Sequence, residues 1–116
     1  MGFLDLFRGR PSVIEGTGKL PEGQSTKVDL GDPLAGTGKQ IVLCRIQGSL
    51  YAVDSKCPHE GGRISAGPLI GGVLVMCPLH NIQFDPRTGK AVGRVCNDAK
   101  TYKVREKEGN CEIWAQ

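Results

Sequence analysis

The sequence predicts an all-β fold of short antiparallel strands. Seventeen glycines and seven prolines in 116 residues demand frequent tight turns. The β-favouring residues fall in short runs between turn signals, and nothing beyond the N-terminal residues carries helical periodicity. The length suits one small domain, placed at residues 12–116 behind an N-terminal segment, residues 1–11.

In chain order, Phe3, Leu4, Leu6 and Phe7 make an apolar stripe on a short helical turn, followed by Arg8 and Arg10. This segment reads either as a frayed terminus or as a small amphipathic contact with a membrane or a partner. Residues 25–30 (STKVDL) alternate as a strand, and Gly31-Asp32-Pro33 breaks it. Residues 34–39, with Gly36 and Gly38, read as a loop. Residues 40–46 (QIVLCRI) and 50–53 (LYAV) form the arms of a hairpin around Gln47-Gly48. Cys44 lies inside the first arm, where a small buried apolar side chain belongs. Leu69-Ile70 and residues 73–76 flank Gly71-Gly72, a pair suited to the positive φ angles of a type I′ turn, and are expected to pair as a hairpin. Residues 85–89 (DPRTG) form another turn, and residues 101–105 and 111–114 are closing strands around Glu108-Gly109-Asn110.

Composition narrows the function. A net charge of +3 is too small to imply nucleic acid, and the basic residues do not interleave with the six aromatics. No stretch is long enough for a transmembrane helix, and residues 1–7 lack the basic start and long apolar core of a signal peptide. The cytoplasm is therefore the default location. Five cysteines then point to metal or redox chemistry before disulfides.

Two loops concentrate that chemistry. Cys57-Pro58-His59 and Cys77-Pro78-Leu79-His80 supply two thiolates and the chain's only two imidazoles, with seventeen residues between His59 and Cys77. These are ligands for zinc, iron or copper. A structural zinc module would take such a set arithmetically, but its usual spacing places paired cysteines two to four residues apart and the histidines together. One cysteine and one histidine from each loop instead suit a two-iron cluster, with both thiolates on one iron and both imidazoles on the other.

C-P-H followed by C-P-L-H, with Gly61-Gly62 after the first pair, resembles the Rieske-type [2Fe–2S] proteins. The flanking Leu50-Tyr51-Ala52-Val53, Gly71-Gly72, Phe84-Asp85 and Thr88-Gly89 share the resemblance, which runs from about residue 40 to 114. It implies stacked antiparallel sheets with a cluster-binding subdomain at about residues 56–84. It also implies that Cys57 and Cys77 hold the inner iron and His59 and His80 the outer one, with one cluster per chain. Neutral imidazoles leave the reduced electron on the outer iron and raise the potential above that of all-cysteine clusters.

Departures from the family pattern define a subtype. Gly62 and Leu79 stand where respiratory members carry a disulfide. Ile82 and Phe84 stand where those members place a serine and a tyrosine that donate to the cluster. Missing donors predict a potential toward the roughly −150 mV end of the Rieske range. Asn81 replaces a common glycine and tolerates the left-handed backbone expected there. Residues 93–97 lack the proline of the usual loop over the cluster, which leaves Cys96 either at the cluster edge or as a half-buried spectator. Seven basic residues against three acids between 85 and 107 would steer an acidic partner if they shared a face, but strand alternation is expected to scatter them.

The function implied is that of a small electron carrier, not an enzyme, moving single electrons from a flavin reductase to a terminal oxygenase. The small subunit of an NAD(P)H-dependent nitrite reductase is the alternative, since C-P-L-H-N occurs there too. A full oxygenase is excluded, because no residues remain for a mononuclear iron domain.

Overall fold

The run from Lys39 to Ile46 becomes the strand on which the molecule is built. In the computed structural model, which describes residues 11–31, 39–58, 62–79 and 81–114, every residue from 41 to 46 is buried. A strand buried on both faces sends alternate side chains into two separate cores. Val42, Cys44 and Ile46 enter one core with Val53, Ile64, Val75 and Phe84. Ile41 and Leu43 enter the other with Leu30, Leu50, Ala52, Tyr102 and Ile113. Each such aliphatic side chain contributes about 1.5–3 kcal/mol on burial.

Among the described residues there are nine strands: β1 (Ser12–Ile14), β2 (Gln24–Leu30), β3 (Lys39–Ile46), β4 (Ser49–Asp54), β5 (Gly67–Pro68), β6 (Val75–Cys77), β7 (Ile82–Phe84), β8 (Thr101–Lys107) and β9 (Asn110–Trp114). Seven form one antiparallel sheet in the order β1-β9-β8-β4-β3-β2-β5, and β6-β7 form a separate pair. The large sheet is narrow between β4 and β8, where only Ala52↔Tyr102 and Val53↔Thr101 are in register. The only helical pieces among the described residues are short 3-10 turns at Thr17–Lys19 and Val92–Arg94.

The expected β3–β4 hairpin forms, with Gln47 (φ 52°) and Gly48 (φ 81°) left-handed as a type I′ turn needs. Glu22 fastens it, its carboxylate accepting from the N–H groups of Gln47 and Gly48 at 2.6 and 2.8 Å. Arg45, on the same strand, is 7 % exposed and fully engaged. It donates to both Glu106 carboxylate oxygens (2.7 and 2.9 Å) and to the carbonyls of Thr17, Leu20 and Gly48. The β8–β9 hairpin also forms, turning on Glu108 and Gly109.

One expectation is corrected. Gly71 and Gly72 do turn the chain, with φ of 61° and 80°, but the flanking runs do not form a hairpin beyond the single bridge Ile70↔Leu74. The preceding residues join the sheet as β5, against β2, while β6 turns away to pair with β7. Of the seven basic residues between 85 and 107, three share a face: Lys103, Arg105 and Lys107 are exposed at alternate positions of β8. Arg105 is paired with Glu112 there, and Lys103 lies over the Trp114 ring. The N-terminal stripe and the loop at residues 34–38 lie outside the described residues.

Candidate metal centre

β4 ends at Asp54 and delivers the chain into the first motif loop. That loop is closed at its base by Cys57 N–H donating to Gly62 O at 2.7 Å and Ile64 N–H donating to Ser55 O at 2.7 Å. Lys56 and Arg63 bridge across it. The second loop joins β6 to β7, whose last register pair is Cys77↔Ile82. Asn81 takes the left-handed conformation (φ 56°) that closes so short a connection. A bond from Ser65 N–H to Met76 O at 2.9 Å ties the segment leaving the first loop to β6, the strand that enters the second.

The result brings Cys57 and Cys77 into one apolar core, each 1 % exposed. Gly62 presses its backbone against the second loop: a Cβ built there would stand 2.6 Å from Cys77 Sγ and 3.2 Å from Leu79 Cβ. Positions 62 and 79 thus face each other at about the separation a disulfide bridges, and neither is a cysteine. Ile82 and Phe84 are buried beside the cysteines and carry no donor. Leu79, at the tip of the second loop, is half exposed. His59 and His80 lie outside the described residues, and among the described residues no three metal-binding groups converge.

The other cysteines differ in kind. Burial alone pushes the Cys44 thiol up to about 12, so it stays protonated and packs as an apolar group. Burial also raises the Cys111 thiol, in the opposite core. Cys96 is half-buried and packs against the core that holds Cys57 and Cys77. Its thiol is raised by burial first, then by Asp98 and Cys77. It lines an open groove with Lys90, Arg94, Asn97 and Asp98.

The donor chemistry fits a [2Fe–2S] group. Two cysteines, whose thiolates would be soft ligands, lie at the starts of the two loops in an apolar environment that excludes water from that side, while Leu79 reaches solvent. The motif spacing marked both cysteines. It did not mark the support from Ser55, Ser65 and Met76, whose roles are backbone contacts without a side-chain signature.

Comparison with known proteins agrees with this geometry. The family described as the Rieske [2Fe-2S] domain matches residues 12–104. The 3-phenylpropionate/cinnamic acid dioxygenase ferredoxin subunit of Photorhabdus laumondii is 38% identical over 96 residues, covering 82% of this chain and 85% of that one. The naphthalene 1,2-dioxygenase system ferredoxin component of Pseudomonas putida is 42% identical over 78 residues, covering 65% and 74%. Among solved structures, the ferredoxin of carbazole 1,9a-dioxygenase from Nocardioides aromaticivorans superposes with a TM-score of 0.76 at 23% identity, over 93% of this chain and all of that one. An NADH-dependent nitrite reductase small subunit from Mycobacterium tuberculosis superposes with a TM-score of 0.65 at 23% identity, over 90% and 95%.

Proposed function

The chain belongs to the Rieske [2Fe–2S] domain family, and from that premise we propose that it is a one-electron carrier serving a terminal oxygenase. Cys57 and Cys77 would hold one iron and His59 and His80 the other. The observation that carries this reading is the burial of Cys57 and Cys77 together in one core, with the segments flanking their loops bonded to each other. When bound, the cluster supplies reversible one-electron chemistry without making or breaking a substrate bond.

The chain's own residues divide the remaining tasks. Cys57 and Cys77 anchor the inner side as thiolates. Ile64, Val75, Ile82 and Phe84 keep water from it. Because Ile82 and Phe84 offer no hydrogen-bond donor, added negative charge goes unstabilised and the potential stays low, near the roughly −150 mV end of the family range. The donor would be a flavin reductase and the compartment the cytoplasm; no helix among the described residues is long and apolar enough to cross a membrane. The dioxygenase ferredoxins, at 38 and 42% identity, favour the oxygenase as acceptor. The nitrite reductase reading draws on the C-P-L-H-N run and on a likeness of fold.

Purified anaerobically, the protein should contain about two irons and two acid-labile sulfides per chain and give a rhombic signal on reduction. Colourless protein holding one zinc would overturn the reading. Voltammetry should place the potential at the low end; a value at the high end would remove the donor argument. Reduced protein should pass electrons to a ring-hydroxylating oxygenase, and transfer to a nitrite reductase alone would decide for the second reading.

A further inference from the structure

The first ligand loop is held from the opposite core. Asp54, three residues before Cys57, ends β4 with its carboxylate doubly engaged: Oδ1 accepts from Lys56 N–H at 2.9 Å, and Oδ2 accepts from Tyr102 Oη–H at 2.7 Å. Tyr102 Oη accepts in turn from Lys39 Nζ at 3.1 Å. That ammonium lies 5.0 Å from the ring centroid, and Lys100 Nζ lies 5.4 Å from it. Tyr102 is 8 % exposed and packs with Leu43 and Ile113, in the core that does not contain Cys57 and Cys77. Its backbone pairs with Ala52 at the narrow junction of the sheet. Burial first, and then the Asp54 carboxylate, hold the phenol above its ordinary value of 10, so it remains a donor.

Stabilising the sheet does not require this arrangement. The junction already has its backbone pairs, and Asp54 N–H already donates to Lys100 O at 2.8 Å. What the side chains add is a path of bonds from β3 and β8, through one carboxylate, to the peptide that leads into Cys57. Hydrogen-bond partners of this kind fix the orientation of ligand-bearing segments and govern how firmly the metal is held.

We propose that Tyr102 and Asp54 are positioning residues for the metal centre: the phenol fixes the carboxylate, and the carboxylate fixes the Lys56 N–H at the entry to the first ligand loop. The inference rests on Cys57 being a cluster ligand. The two residues contribute differently. Tyr102 contributes orientation alone. Asp54 also places a negative charge behind the loop, which opposes the uptake of an electron.

The test uses the full-length, cluster-loaded protein and its Tyr102→Phe, Asp54→Asn and Glu106→Gln variants. Glu106→Gln loosens Arg45, a structural contact outside the loop, and serves as the measure of general destabilisation. Three quantities are read: thermal midpoint, loss of visible absorbance to excess ferrous chelator at a fixed interval below that midpoint, and reduction potential. Tyr102→Phe and Asp54→Asn should each lose the cluster about tenfold faster than wild type. Glu106→Gln should lower the thermal midpoint with an unchanged cluster lifetime. Asp54→Asn should shift the potential upward and Tyr102→Phe should leave it in place. If both variants lose the cluster no faster than Glu106→Gln, the positioning role is overturned. An unmoved potential in Asp54→Asn overturns the charge role. A wild-type protein without iron and sulfide overturns the underlying reading instead, so the failures are distinguishable.

Discussion

The two cores on either face of β3 are closed in different ways. The β3–β4 ladder, six register pairs long, walls both of them, and the one holding Leu43, Tyr102 and Ile113 is completed by the five register pairs between β8 and β9. The one holding Cys57 and Cys77 is capped by strands of three residues, β6 and β7, and by loops fastened through individual bonds such as Ser65–Met76 and Cys57–Gly62. Long ladders share strain across many bonds, whereas a cap of single bonds concentrates it. Both cores therefore contribute to whether the chain folds, and the cysteine core alone also governs whether the folded chain has a working site.

Replacing single sulfurs should test that division most severely. Cys77→Ser should abolish the cluster, read as loss of iron and of visible absorbance, in a protein that still folds by far-UV circular dichroism. Cys111→Ala, in the frame core, should keep full iron content. Removing one large side chain from each core comes next. Phe84→Ala should cost about 3–5 kcal/mol and Leu43→Ala about 2–5 kcal/mol in denaturant unfolding. Only Phe84→Ala should also strip the cluster from folded molecules; equal stripping by both would erase the distinction.

Two turns offer a finer comparison. Gly89 has φ 82°, and a Cβ there would stand 2.1 Å from Ala99 O, in the segment that covers the cysteine core. Gly89→Ala should cost about 3 kcal/mol and speed cluster loss. Gly48, in the frame hairpin, has φ 81° and open space around it. Gly48→Ala should cost only about 1 kcal/mol, and chelator kinetics should not change. Acid sensitivity gives the smallest effect. Arg45, donating to it, holds the Glu106 carboxyl below its ordinary 4.5. A carboxyl depressed on folding stabilises the protein fully above 4.5 and loses that contribution as the pH falls through its lower folded value. Thermal midpoints measured between pH 6 and 3 should fall at the acid end, and less steeply in Glu106→Gln.

Legibility in the sequence follows the same division. β3, β4, β8 and β9 were readable because apolar runs met turns whose residues take left-handed angles, Gln47-Gly48 and Glu108-Gly109. β1, β5 and β7 were not, because two or three residues carry no periodicity, and β5 contains Pro68. The Gly71-Gly72 turn was readable as a turn, but its arms were assigned to each other; pairing with β2 and β7 is decided by tertiary contacts outside that stretch. Cys57 and Cys77 stood out through spacing. Tyr102 and Asp54, 48 residues apart, did not, since nothing local signals a hydrogen bond between a strand tyrosine and a distant aspartate.

The two shortest members of the large sheet are also its outermost. β1 offers three residues to a neighbour and β5 two, one of them a proline without an N–H. Where β2 runs on past β5, it presents the charged Lys27 and Asp29. Sheets with long bare margins recruit other chains by adding strands side by side, which seeds aggregates. Here that route is short and charged, so crowding many copies together would not zip them edge to edge.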